Sequence, residues 1–453
     1  MQEFERLVPL AALVLMAFPG SATFANEDEN PEESGAAFEF ELKLEGEQRR
    51  QSHLGEVSDD RERNGLAELS ASVFYPVTPQ LALFGEVIAI FEGQTTDGER
   101  DWQSDESLER GESWLRWQPD ADLNLTLKLG RQEFTEPRQW WWDEDLDALR
   151  VDYQTNRWSL AAALARETAP ISTLDSQIHP SEDDVVRALG AVHWYWTSDQ
   201  QLEAFALYQN DRSSTPNVGD KVTQDDSVDA NLDWLGLRAS GDLRLGGYGS
   251  LIYWLDSAWV WGDERVVEFE EGEGAFLVSD RTRRDVRGWA LDVGGLWTLP
   301  VAGQPTLRLG YAYGSGDADP DSGLDRSFRQ TGLQENEDRI HYYGELFDPE
   351  LSNLQVFTVG ISGLPSENTW LALMHHRYRQ AVAADYLRET GIDLEPDGIA
   401  TNLGWGWDLV FQQTWENGLS LEVIGSMFQA GRAFGEAEGE RAYRGYVELI
   451  YEF

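Results

Sequence analysis

Arg308 stands between Leu307 and Leu309, and Arg150, Lys128 and Arg116 likewise sit between large apolar neighbours. A cationic side chain flanked on both sides by apolar ones suits a strand with one polar and one apolar face. The same parity adds Lys43, Arg110 and Arg187, and towards the C-terminus Arg377, Arg379 and Arg444. Carboxylates are expected on that face too, at Glu86, Glu112, Asp152, Asp292, Asp408, Glu422 and Glu448. Such a face recognises anions by charge-assisted hydrogen bonds. It is expected to be near balance or somewhat basic, although the chain carries 82 acids against 35 bases and a net charge of −47. Carboxylates and arginines also pair across strands to keep a wall solvated, and the set as a whole favours anion passage over that reading.

Other chemistry is thinly represented. Asp317, Asp319 and Asp321 are spaced like the start of a calcium loop, with Asp325 beyond. The sixth position is Ser322 and the twelfth Phe328, which departs from the calcium-loop pattern. A solvated acidic loop is the simpler reading, and structural calcium is the only cofactor the spacing allows. His375 and His376 are adjacent, so on a strand they point to opposite faces and make a poor metal pair. There is no cysteine, which excludes thiolate chemistry and disulfides. No G-x-S-x-G, H-E-x-x-H or phosphate loop is present. The chain reads as a non-enzyme, with an enzyme or adhesin barrel the remote alternative. The acidic balance argues against nucleic-acid partners, which need basic patches.

The elements that must position these residues are strands. "FEFELKLE", "LNLTLKLG", "LRLGYAY" and "LGWGWDLVF" alternate strictly. Tight turns such as "YQTNR", "WTSDQQ" and "TWENGL" alternate with long acidic segments, among them Gly262 to Asp285 and Gly316 to Ser352. The pattern predicts an all-β, transmembrane, antiparallel up-and-down barrel of about eighteen strands, with short periplasmic turns and long extracellular loops. A soluble propeller also alternates, but here the apolar faces are continuous and end in Trp and Tyr, as a membrane belt requires. An uninterrupted run of eighteen or so apolar residues is absent, which excludes helical spans. Residues 1–25 read as a signal peptide, 26–36 as an acidic linker and 37–453 as an outer-membrane barrel. The last strand, "YRGYVELIYEF", ends on an aromatic residue, like the signal that barrels present to their insertion machinery.

Two stretches carry a family resemblance. "SFRQTGLQENEDRIHYYGELFDPELSNLQVF", Ser327 to Phe357, resembles a segment of the alginate-export outer-membrane porins, as does "LGRQEFTEPRQWWWDEDLDALRVDY", Leu129 to Tyr153. The resemblance covers the mature chain and implies an eighteen-stranded barrel in the bacterial outer membrane, passing an anionic polyuronate outward without a cofactor. By motif it adds Arg131 and Arg329 to the pore-lining candidates and supports Arg150. Arg131 has lipid-facing parity, so a pore role there requires a bulge or a position beyond the membrane. The resemblance also implies a periplasmic scaffold lipoprotein as a partner. An anion-selective uptake porin for small sugar acids is the alternative. Between strands Leu123–Arg131 and Leu146–Tyr153, Trp140, Trp141 and Trp142 fall in an outer loop expected to shape the constriction. They either stack on sugar rings or anchor the loop to the inner wall, and the second reading is preferred because a loop hung in water needs an anchor.

Overall fold

The computed structural model describes residues 35–56, 61–95, 102–120, 123–213, 216–222, 228–272, 275–319, 323–334 and 343–453. The expected signal peptide and nearly all of the acidic linker lie outside the described residues.

Period-two alternation gives the expected strands. They are β1 Ala37–Arg50, β2 Arg61–Thr78, β3 Leu81–Thr95, β4 Gln103–Trp117, β5 Leu125–Thr135 and β6 Asp143–Gln154. β7 Trp158–Ala165, β8 Val185–Thr197, β9 Gln200–Asp211, β10 Val228–Arg244, β11 Ser250–Gly272 and β12 Ala275–Thr298 follow. The wall is completed by β13 Thr306–Gly314, β14 Leu354–Ser366, β15 Thr369–Gln380, β16 Asn402–Thr414, β17 Leu419–Ala430 and β18 Arg441–Glu452. Each pairs antiparallel with its neighbours, and β18 returns to β1 from Glu41↔Glu452 to Arg50↔Tyr443, closing an 18-strand barrel without an edge. Closure leaves no open sheet edge, which a bilayer demands.

The apolar face is turned outward. Leu129, Leu164 and Leu309 are each more than half exposed, the burial pattern of a surface that lipid covers. The buried apolar core therefore lies inside the barrel, between inward-folded loops and the inner wall. Ala148, Ala163, Ala191, Ala258, Ala290 and Ala312 keep that wall shallow enough for the loops to pack on it.

Two departures from the expected layout have local causes. The segment Gly262 to Asp285 is not a long loop: β11 and β12 continue through it as one hairpin, pairing Val266↔Thr282 and Phe276↔Glu271. Its alternation persists beneath the acidic residues. Between β4 and β5 only Ser113–Trp117 pair with Leu127–Arg131. Beyond that point the connection after β7 lies along β4 instead, with the Arg110 amide donating to the Ile171 carbonyl at 3.0 Å and Thr173 to Leu108 at 2.9 Å.

Candidate functional site

The tryptophan loop is shorter than expected because β5 runs on to Thr135 and β6 begins at Asp143. Residues 136–142 fold into the lumen. Glu136 organises the turn: its carboxylate accepts from the amides of Arg138 at 2.9 Å and Trp141 at 3.1 Å, and from that of Trp140. The same carboxylate receives both Nη groups of Arg238 on β10. Burial opposes its ionisation, yet Arg238 and these donors outweigh burial and hold it below the ordinary glutamate value.

Arg138 leaves the turn in the opposite direction. Its guanidinium bridges Asp256 on β11 and Asp292 on β12, the latter at 3.0 Å, and lies 4.4 Å from the centre of the Trp254 ring. Asp292 also accepts from Trp254 Nε1 at 2.7 Å and from the Tyr343 hydroxyl at 2.8 Å. Arg238 reaches Asp256 as well. Two arginines and three carboxylates thus form one buried network from the loop to the far wall. Removing one member of such a network costs roughly 3–5 kcal/mol, because it strands a buried charge.

The aromatic triplet packs rather than projects. Trp140, Trp141 and Trp142 are all buried. The Trp141 ring lies parallel to Phe205 with centroids 5.1 Å apart, and Trp142 meets Phe205 edge-on at 5.6 Å. Trp140 lies parallel to Phe328 at 6.3 Å and donates from Nε1 to Tyr343 at 2.8 Å. Gly236 makes this docking possible, since a Cβ there would overlap the Trp141 ring. Burying a large side chain is worth about 1.5–3 kcal/mol, so the triplet is a substantial anchor.

The connection between β13 and β14 also enters the barrel and joins the tryptophan loop. Thr331 Oγ1 donates to the Trp141 carbonyl at 2.5 Å and Gln334 Nε2 to the Trp140 carbonyl at 2.8 Å. Arg329 pairs with Asp325 and, at 2.9 Å, with Glu264 on β11, while its carbonyl accepts from Trp234. Above these loops lies a cavity of about 1000 Å³, lined in part by Arg49, Arg187, Arg329, Arg388, Trp140 and Glu350. Burial raises the Glu350 carboxyl above its ordinary value, with Arg388 and Arg329 pulling the other way.

The expected pore residues are distributed unevenly. Arg150, Arg187, Arg308 and Arg444 project from the inner face, as do Lys43, Lys128 and Arg116. Most are already paired: Arg187 with Glu182 at 2.6 Å, Arg444 with Glu47 and Glu345, Arg150 with Asp152, Lys128 with Glu112, Lys43 with Glu45. Arg116 instead lies over the Phe74 and Trp114 rings, and Arg308 over Trp254. Arg110 does not share the inner face with Arg116. A bulge opposite Gly85 and Val87 reverses the parity of β4, so Arg110 follows exposed Leu108 and pairs with Asp147 and Glu167. Arg131 joins that cluster, 3.6 Å from Glu167 and 3.7 Å from Asp145. Arg377 and Arg379 lie on the outer face with Leu371 and Leu373, because the inward set of β15 is Met374, His376, Tyr378 and Gln380. Tyr378 packs on Phe347 and Phe428 in the lumen, so large side chains there do not mark the lipid side.

Asp317 is used as a turn anchor, accepting from the Arg326 amide at 3.1 Å and from Asp319 at 3.2 Å. Asp321 lies outside the described residues, and among the described residues no group of three or more metal-ligand side chains comes together. Sequence reasoning did not single out Glu136, Arg138, Arg238, Asp256 or Arg388. Arg238 was within reach: Leu235 and Leu237 face outward, which puts Trp234, Gly236 and Arg238 inside.

Comparisons with known proteins agree with this geometry. The barrel is similar to that of Acinetobacter baumannii OccAB4, with TM-score 0.57 at 9% identity over 94% of this chain and 100% of that one. It also resembles Pseudomonas aeruginosa OccK5 (OpdH), with TM-score 0.55 at 9% identity over 92% and 98%. In sequence the chain is 24% identical to the alginate production protein AlgE of Pseudomonas aeruginosa, over 99% of this chain and 97% of that protein. It is 23% identical to the AlgE of Pseudomonas syringae pv. tomato, over 72% and 71%. Residues 36–447 match the family described as alginate export. With an outer-membrane barrel, a charged lumen and this match along nearly all of its strands, the chain belongs to the alginate export family.

Proposed function

We propose that an anionic polyuronate of the alginate type leaves the periplasm passively through this lumen, steered by its arginines. The observation that carries the reading is the cavity above the tryptophan loop, where Arg49, Arg187, Arg329 and Arg388 converge. Their partners differ in depth. Arg138, Arg238, Asp256 and Glu136 are buried together and hold the loop. Glu182, by contrast, is 41% exposed where it pairs with Arg187, and Arg388 stands 3.5 Å from Glu350. A uronate carboxylate offers the same two oxygens as exposed Glu182, so Arg187 exchanges one carboxylate for another as polymer passes while Arg388 stays paired with Glu350. Such exchange leaves no unpaired buried charge, which keeps the barrier low. The deep pairs stay made and keep the channel narrow.

Further partners follow from the same reading. The terminal strand ends on Phe453, whose ring lies parallel to those of Phe40 and Tyr451 at 5.8 and 5.5 Å. In this reading the stacked rings of Phe40, Tyr451 and Phe453 are where insertion machinery would engage the barrel. A periplasmic scaffold lipoprotein would dock on the side of the short turns.

Planar-bilayer recording with polymannuronate tests the proposal. The polymer is expected to block single-channel current, and a double Arg187→Glu, Arg388→Glu variant should weaken the block by about tenfold or more, a loss of at least one charge-assisted contact. An unchanged block would remove these arginines from the path. Equal block by polymer and by monomeric uronate would favour the uptake of small sugar acids instead.

A further inference from the structure

In a chain so rich in acid, most arginines find a carboxylate. Among the described residues, several form no ion pair, and four of these, Arg50, Arg61, Arg63 and Arg441, cluster on the extracellular rim of β18, β1 and β2. Arg50 faces outward at the end of β1 and stands directly opposite Arg61 on β2, a pairing of like charges. Arg63 is opposite Gln48, and Arg441 begins β18. Outward parity is fixed by the shared register: Leu42, Leu44 and Gly46 precede Gln48 and Arg50, opposite Leu69, Ala67 and Gly65.

What these guanidinium groups touch is neutral. Arg441 Nε donates to Gln429 Oε1 at 3.1 Å. With the Gln48 amide turned so that its oxygen faces Arg50, that oxygen accepts from Nε at 3.0 Å and Nη2 at 3.2 Å. Arg61 Nε is buried without a partner. Among the described residues, none of the four forms an ion pair with a carboxylate. On the inner face of β1 and β18, Arg49 and Arg444 do, with Glu47. Like charges opposite one another destabilise a strand pair, so the arrangement calls for an anion from outside the chain.

Its height on the barrel says which anion. Trp102 covers Gly65 and Gly93 on the outer face, and Tyr443, 42% exposed, is the partner of Arg50. These rings form the outer aromatic belt, which sits at the membrane–water boundary. The arginines lie at the belt or within two residues of it on the extracellular side, level with the headgroups of the outer leaflet. We propose that this rim binds the phosphate groups of a phosphorylated outer-leaflet glycolipid, with Arg50 and Arg61 sharing one phosphate and Arg63 and Arg441 flanking it. Arginine suits the task because its planar fork meets phosphate oxygens in pairs. The site is on the lipid side of the wall and does not depend on what passes through the lumen.

The test uses the full-length barrel in detergent micelles, with native mass spectrometry of added lipid A and of the same lipid after phosphatase treatment. Phosphorylated lipid A is expected to remain bound, and removing its phosphates should weaken retention by about tenfold or more. An Arg50→Gln, Arg61→Gln, Arg63→Gln variant should show the same loss, while Arg432→Gln, at an exposed loop arginine, should not. Equal retention of both lipids by the unaltered protein would overturn the proposal even if the triple variant failed to fold. So would equal retention of lipid A by the unaltered protein and a folded triple variant. Displacement of lipid A by equimolar polymannuronate would assign the rim to emerging polymer instead.

Discussion

Glu136 shows how much one side chain decides. It closes its own turn through three amides and reaches across the lumen to Arg238. Glu136→Gln keeps the shape but discards the charge, leaving Arg238 with less compensation beside Asp256. We expect the loop to loosen, with wider and noisier single-channel current and a stability loss of roughly 3–5 kcal/mol in denaturant unfolding. An unaltered current would mean the loop is held by packing alone. The pH dependence follows from the depressed carboxyl. A lowered folded value contributes stability that is fully present above the ordinary glutamate value and lost as pH falls through the folded one. The current should therefore be steady from neutrality down to about pH 5 and destabilise only below about pH 4. Opening that begins near neutral pH would assign the control to another group. None of this was legible from the segment itself, because the partner of Glu136 lies 102 residues away.

At the scale of the element, the tryptophan loop and its socket belong together. Replacing Trp140, Trp141 and Trp142 with alanine removes the aromatic anchor while leaving the strand ladders intact. The barrel should still form, shown by heat-modifiable gel mobility, and its conductance should rise. A barrel with unchanged conductance would place the loop outside the current path. Gly236→Leu should have the same direction of effect from the wall side, since a branched side chain would occupy the space of the Trp141 ring. Strand parity was readable wherever apolar outer and polar inner faces alternated without interruption, as around Arg150, Arg187 and Arg308. It was misleading at Arg110, where a bulge shifts the register, and at Arg377 and Arg379, where inward loops build an apolar core against Tyr378. Around Arg377 and Arg379 the inner face is as apolar as the outer, so alternation there names a face but not its environment.

For the whole molecule, the strand number, the closure and the alternation of short and long connections were legible in the sequence because each follows from the bilayer. The pairing of the lumen arginines was not, because it depends on which loop folds inward. The net charge of −47 lies over a lumen whose cations are largely matched, so the excess acid must act at a distance. Such action is strong at low salt and screened to about 3 Å at 1 M. Polymannuronate added on the side of the short turns should therefore block at lower concentration than polymer added on the side of the long loops. That difference should vanish at 1 M salt, and a difference that persists there would have to be steric. The inward loops carry one more implication, for the cell that bears them. An unobstructed eighteen-strand tube would admit bulky antibiotics and bile salts whenever no polymer filled it. A stopper docked by directed bonds to the wall lets the bacterium keep its exit built in advance without surrendering its permeability barrier, and strains with a loosened stopper should become drug-sensitive.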